Sequence, residues 1–426
     1  MFRYLHLILL ATLLNTGCSE RPAEAQTAEA SPDTVLVFPG LLNKKALEAG
    51  NPLATYAAMI DLEKQYQKSE IFAQIYPEIR LNFEQFLGFP RAGLQAMSLP
   101  MLRRGTPGAE RPIPDFYTPE NALEVIKREA LKTRIVIWGE EHHLPQTRAL
   151  YASILRSLWD QGYRYLAAEA FEDAVMDEDF LYPDYRSGYY LRDPVFASAI
   201  RTAKELGYTL IAYDTKERGG AGFRDKTQAQ NIKARIFDGD AQAKVFVIAG
   251  RGHASEEMAA DGWTPMASVL KQITGIDPLT LYAPTMSERL TSEEEHPYYR
   301  FATSQGLVDQ PTIFEHRAEE SLLGTSSFDA YIFWPRTHVE EGRPDWMVNL
   351  LGRTPVKIPE SLLRGSGMRL VQAFREGDSS SAVPIDQVII DESDEEKVLM
   401  LPAGAFWLRT VNRDSAELAR TSLEIR

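Results

Sequence analysis

A chain of 426 residues is too long for one ordinary small domain and has room for two or three. Its hydrophobic content of 44% is enough for a packed core. The formal net charge of −14 argues against a nucleic-acid partner, whose phosphates need a basic surface, and sets the chain against an anionic membrane face.

Residues 1–18, "MFRYLHLILLATLLNTGC", read as a targeting segment. Arg3 gives a basic start, and the apolar run over 5–14 has the length of a signal-peptide core, too short for a membrane span. The run closes on Cys18, the one cysteine of the chain. It resembles a bacterial lipobox, in which the cysteine is acylated after cleavage, although Asn15 departs from the small residue usual there. Ser19 in place of Asp implies the outer membrane, with the protein facing the periplasm. With Cys18 as the anchor, no thiol remains for a disulfide, a cysteine nucleophile or a thiolate zinc site. Residues 19–34, rich in Ala, Glu, Pro, Ser and Thr, read as a disordered tether.

Residues 35–125 read as helical or irregular and carry no chemical motif. From 126 to 351 the pattern changes to short β-type runs: "RIVIW" (134–138), "YRYLAAEAF" (163–171), "GYTLIAYD" (207–214), "KVFVIAG" (244–250), "PLTLYA" (278–283) and "FDAYIFWP" (328–335). Helix-length segments lie between them. The first, "PQTRALYASILRSLWDQG", has Leu150, Ile154, Leu155 and Leu158 on one stripe, Pro145 at its start and Gly162 past its end. Apolar strands alternating with such helices predict an α/β fold, with a mostly parallel sheet covered by helices on both faces. Residues 352–426 predict a small β domain, from the Pro-Ala-Gly turn between β-type runs.

Ligands of open parallel sheets bind at the carboxyl ends of the strands. Here the first strand ends in Glu140, Glu141, His142 and His143, and the second contains Glu169. The third ends at Asp214, the fourth is followed by Arg251 and His253, and the sixth by Arg336 and His338. A histidine on a turn can simply cap it, and Asp at a strand end is common turn chemistry. What favours a site is convergence of polar residues on four strands. Glu169 lies among apolar residues, and a solitary carboxylate there would cost several kcal/mol. It is therefore expected within reach of His253 or of the His142–His143 turn. The helix start after that turn is expected to disfavour imidazolium, leaving a neutral imidazole as base or ligand.

"GEEHH" after a strand, "AAEAF" in the next and "GRGH" after a later one resemble the erythromycin esterase, ChaN-like and TraB/Tiki group of α/β proteins, over about residues 134–340. The segments "FRDKTQAQNI" (223–232, with Arg224) and "FDAYIFWPRT" (328–337) resemble its esterase branch. That branch implies a hydrolase in which a histidine activates water to attack an ester or amide. His143, Glu140, Glu169 and His253 would be catalytic, and Asp214, Arg251, Arg224, Arg336 and His338 would face a small-molecule or peptide substrate. The Tiki branch implies a divalent metal held by His142, His253 and Glu169. ChaN-like relatives imply a haem-binding lipoprotein without catalysis. The adjacent histidines satisfy both spacings, so His142 or His143 would activate the water, and the esterase-like segments lean towards His143. Adjacent side chains diverge by about 100° on a helix, so only one of the two is expected to face the reacting atom.

Lipidation at Cys18 is the sole expected membrane attachment. Cys18→Ser should leave an unprocessed precursor or release the protein. Mature Cys18→Ser protein that still sediments with membranes would refute the anchor.

Overall fold

The computed structural model describes residues 51–66, 70–99, 109–220, 222–258, 262–391 and 397–426. The segment 1–18 with Cys18, and the tether 19–34, lie outside them. No helix among the described residues is long and apolar enough to cross a membrane.

Helices α1 (Pro52–Tyr66), α2 (Glu70–Phe86) and α3 (Ala92–Met97) open the described chain. Strand β1 (Tyr117–Asn121) follows, and the Asn121 side chain accepts from Leu123 N at 2.9 Å to start α4 (Ala122–Glu129). The α/β series then runs β2 (Ile135–Glu140), α5 (Pro145–Arg148), α6 (Tyr151–Asp160), β3 (Tyr165–Ala168), α7 (Pro194–Leu206) and β4 (Thr209–Ala212). It continues with α8 (Phe223–Ile232), β5 (Val245–Gly250), α9 (Met266–Thr274), β6 (Leu279–Tyr282), α10 (Pro297–Ser304), β7 (Thr312–His316) and β8 (Ala330–Tyr331). The helix expected over 145–162 is two pieces, α5 and α6, with a turn at Ala149 and Leu150. The helix α7 is capped as its sequence dictates: Asp193 accepts from Val195 N, and Gly207, at φ 96°, ends it.

The six apolar runs of the sequence supply the six strands of one sheet, in the order β4-β3-β5-β2-β6-β8, and every pairing is parallel. Alternate residues point to opposite faces. Val136, Trp138, Phe246 and Ile248 pack under α4, α6 and α7; Ile135, Ile137, Val245 and Val247 pack under α8 and α9. Strands buried on both faces read as unbroken apolar runs, which is why they were visible. The antiparallel ribbon of β1 with β7 was not visible, because "YTPEN" carries a proline and charge rather than alternation.

The carboxyl-terminal part holds β9 (Val339–Glu340), β10 (Arg343–Pro344), α11 (Trp346–Asn349), β11 (Thr354–Lys357), β12 (Arg369–Arg375), β13 (Asp386–Ile390), β14 (Val398–Leu401), β15 (Gly404–Asn412) and β16 (Glu417–Ile425). Four of these form an antiparallel sheet in the order β13-β12-β15-β16, and β11 pairs with β14. One face of that sheet does not stay bare. Leu370, Ile389 and Val411 share a core with Leu53, Tyr56, Phe83 and Phe86 of α1 and α2. The amino-terminal helices thus close over a sheet that begins some three hundred residues later in sequence. Buried Arg343 pairs with buried Asp386 and fastens the same sheet to the segment after β8.

Because that core is shared, Phe86→Ala should cost about 3–5 kcal/mol and lower the same cooperative transition as Leu370→Ala. Denaturant unfolding that shows the two substitutions moving separate transitions would contradict a shared core.

Candidate functional site

Strands β2, β3, β4 and β5 end at one edge of the sheet. Two adjacent strands there send their chains opposite ways: β2 leads to α5 and α6 on one face, and β5 to α9 on the other. A crevice opens between such diverging connections. Gly139, opposite Ala249, and Gly250, opposite Glu140, allow close approach at this end. A Cβ on Gly139 would stand 3.1 Å from Ala254 Cβ. One on Gly250 would stand 3.0 Å from Glu169 Oε2, 3.4 Å from His142 Nε2 and 3.7 Å from His253 Cδ2. The sequence therefore keeps Gly250 bare, and three polar groups converge over it.

Glu140 ends β2 fully buried. Arg148 donates to both of its oxygens, at 3.1 and 3.0 Å, and Tyr151 donates its hydroxyl to Oε2. Arg148, itself buried, also donates to Asp193 Oδ2 at 2.8 Å. Burial favours the neutral acid, but Arg148 and then His142 outweigh it and hold Glu140 far below the usual carboxylate range. The ionised carboxylate takes Nδ1 of His142 at 2.7 Å. The imidazole stacks on Tyr190, with centroids 4.1 Å apart and planes 20° apart. Its Nε2 turns towards Gly250 and has no hydrogen-bond partner among the described residues.

His143 turns the other way, as adjacent residues on this turn must. It is buried, with Nδ1 3.4 Å from Glu141 and Nε2 3.3 Å from Glu78 of α2. Burial opposes its charge, yet Glu141 and Glu78 raise its pKa to about 9. The neutral imidazole expected from the helix start is thus not what His143 becomes, because two carboxylates overrule a helix of one turn. Glu141, pushed up by burial, is brought down to about 2 by His143 and by Arg251, whose guanidinium lies 2.6 Å away. Arg251 therefore sits beneath this second histidine and not beside the first.

Glu169, just past β3, is not solitary. Arg224 donates to Oε1 at 2.7 Å, Gly250 N donates to Oε2 at 2.6 Å, and His253 Nε2 is 3.6 Å from Oε1. Burial raises its pKa, and His253 and Arg224 more than reverse this, to about 2. Asp214 grips the same guanidinium through both oxygens, at 2.8 and 2.6 Å. His253 gives Nδ1 to Asp225 at 2.6 Å. A cleft of ≈ 410 Å³ opens at this edge, lined by His142, Glu169, Phe171, Tyr190, Asp214 and Lys216 among others.

The structure thus brings together His142, Glu140, Glu169, His253, Asp214 and Arg224. It holds Arg336 and His338 apart: Arg336 is clamped on Glu295 at 2.6 and 2.8 Å, and exposed His338 caps Asp345 through its backbone N–H. The chain after β8 turns towards α10 rather than over the crevice. Sequence reasoning missed Arg148, Tyr151, Tyr190, Asp225 and Glu78. Asp225 had a signal, since it follows Arg224 directly in "FRDK"; Tyr190 had none.

The donor set does not fit a divalent metal at His142, His253 and Glu169. One oxygen of Glu169 already serves a guanidinium and the other a backbone N–H, and Arg224 Nη1 lies 3.2 Å from His253 Nε2. A dication there would stand against a fixed positive charge, with no free carboxylate to neutralise it. No cluster of His, Cys, Asp and Glu among the described residues has metal-holding geometry.

No protein-family model matches the sequence, and no curated protein matches it significantly. Among solved structures the chain is distantly similar to the type III effector HopBA1, at 14% identity and a TM-score of 0.28, over 42% of this chain and 93% of that one. It is also distantly similar to the C-terminal region of the Pasteurella multocida toxin, described as having a thiol-protease-like catalytic triad. That likeness has 12% identity and a TM-score of 0.29, and covers 82% of this chain and 54% of the other.

A histidine raised from 6.5 to about 9 on folding binds its proton more tightly in the native state. The stability it contributes, about 3 kcal/mol, is complete below pH 6.5 and disappears as pH rises through 9. The melting temperature of the natural protein should fall between those values more steeply than that of His143→Gln. Parallel curves for the two would show that His143 carries no such proton.

Proposed function

We propose that this protein is a hydrolase of the erythromycin-esterase-like kind, held to the periplasmic side of the outer membrane by lipid on Cys18, and that it cleaves an ester or amide without a metal. One observation carries the reading: half-buried His142 held on buried Glu140. Arg148 and Tyr151 lock the carboxylate, the carboxylate fixes the proton on Nδ1, and Nε2 is left as a lone pair facing the cleft. A carboxylate-oriented imidazole of this form suits the removal of a proton from water. Tyr190 holds the ring plane by stacking. Arg224 keeps a guanidinium at the same edge, where it can meet negative charge as it develops on the acyl oxygen. Cys18 is the only thiol in the sequence and, among the described residues, no side-chain hydroxyl hydrogen-bonds His142, so the attacking group assigned here is water.

The base is His142 rather than the His143 towards which the esterase-like segments lean. His143 is shut between Glu78 and Glu141, away from the cleft.

With a panel of short-chain and lactone esters, His142→Ala should lower kcat roughly 10²-fold or more and leave the melting temperature nearly unchanged. His143→Ala should do the reverse, lowering the melting temperature with a smaller loss of kcat. A full chain that turns over none of these esters and purifies with a Soret band would overturn the hydrolase reading in favour of a haem-binding lipoprotein.

A further inference from the structure

Water activation by His142 leaves a second carboxylate–imidazole pair unused. Asp225, buried at the start of α8, accepts from His253 Nδ1 at 2.6 Å, from Trp263 Nε1 at 2.7 Å and from Met266 N at 2.8 Å. Three donors from three directions fix that carboxylate, and it in turn keeps the His253 proton on Nδ1. Nε2 is then the atom left for chemistry; it lies 3.2 Å from Arg224 Nη1 and 3.6 Å from Glu169 Oε1, and the adjoining Cδ2 edge of the ring faces the gap over Gly250. The groups around it are Glu169 from the end of β3, and Arg224 and Asp225 from α8. The Glu169 contact, at 3.6 Å, is too long to hold a proton firmly. His142 approaches the same gap from the β2 side.

We infer that His253 is the general acid of this site and Asp225 its positioning residue, so that the substrate is an ester or amide whose leaving group is a strongly basic alkoxide or amine. This rests on the reading of His142 as the water-activating base. Two imidazoles facing one gap, each with its own buried carboxylate, can divide one proton transfer in from another out. His142 Nε2 takes a proton from water as the water oxygen bonds to the acyl carbon. The bond from that carbon to the leaving oxygen or nitrogen then breaks, its electron pair staying on the leaving atom. That atom takes the Nε2 proton of His253, and the products are a carboxylic acid and an alcohol or amine. His253 keeps Nδ1–H on Asp225, and its freed Nε2 lone pair can accept from Arg224 Nη1, already 3.2 Å away. The proton on His142 returns to His253 through solvent. The charge balance supports an acid here: burial disfavours imidazolium, but Glu169 and Asp225 outweigh burial and Arg224, and the His253 pKa is raised. A nitrophenolate leaves as a stable anion and needs no such proton; an alkoxide does need one.

The test compares esters of one acyl group with alkyl and 4-nitrophenyl leaving groups. His253→Gln and Asp225→Asn should each lose about 10²-fold on the alkyl ester, exceeding their loss on the nitrophenyl ester by about tenfold or more. Asp225→Asn disturbs the cap of α9, so Trp263→Phe, which removes the indole N–H donor to Asp225 and keeps an aromatic ring beside His253, should show the same leaving-group bias in weaker form. Equal losses on both esters would overturn the acid assignment while His142→Ala still abolished both, leaving the hydrolase reading intact. Absence of any His142-dependent turnover would end both.

Discussion

The contact on which the rest depends is the buried ion pair of Arg148 with Glu140. Neither group could stand at the end of β2 alone, since an unpaired charge there costs several kcal/mol. Together they satisfy each other, and Arg148 spends its remaining donors on Asp193 and on the His142 carbonyl. Asp193 is the cap of α7, so the same guanidinium ties the strand end to a helix on the adjacent face. Tyr151 extends the tie into the core, where its ring meets Trp138 edge-on. A side chain anchored this far down cannot swing, and the imidazole hydrogen-bonded to it inherits that rigidity.

The opposite half of the crevice solves the same electrostatic problem with different residues. Arg224 is held by Asp214 and Glu169, as Arg148 is held by Glu140 and Asp193. Each guanidinium bridges two carboxylates that belong to different elements, and each stands beside a histidine. The sheet order explains the repetition. Strands β2 and β5 are neighbours whose following helices lie on opposite faces, so each contributes one histidine turn, and the turns meet over Gly250. A mononuclear metal site would need the carboxylates free; here two arginines already supply the positive charge.

Much of this was legible. Six strands buried on both faces announce themselves as apolar runs, and they do form the parallel sheet with helices on both sides. The strand-end polar residues Glu140, His142, Glu169, Asp214 and His253 follow from the rule that such ends carry function. Three things were not legible. Arg148 and Asp225 lie inside helices, where a charged residue ordinarily means a solvated face, and only tertiary packing turns them inward. The shared core of α1 and α2 with β12, β13 and β15 joins segments far apart in sequence, and no local pattern reports a partner at that distance. Arg336 and His338 follow a genuine strand, but β8 lies at the sheet edge, where the chain departs towards Glu295 and Asp345 instead of over the crevice.

The histidine doublet joins these levels. Local geometry allows only one imidazole to face the crevice, and motif spacing cannot say which. The choice is made from outside the turn, by where carboxylates are waiting. Glu140 is locked on the crevice side by Arg148, so His142 settles there. On the other side Glu78, carried by α2, meets Glu141 and draws His143 into the interior as a cation. Helix α2 is itself packed against the carboxyl-terminal sheet through Phe83 and Phe86. The orientation of the crevice-facing histidine is therefore supported through its neighbour by a core built from the two ends of the described chain. That gives regions without any chemical motif of their own a physical stake in the site.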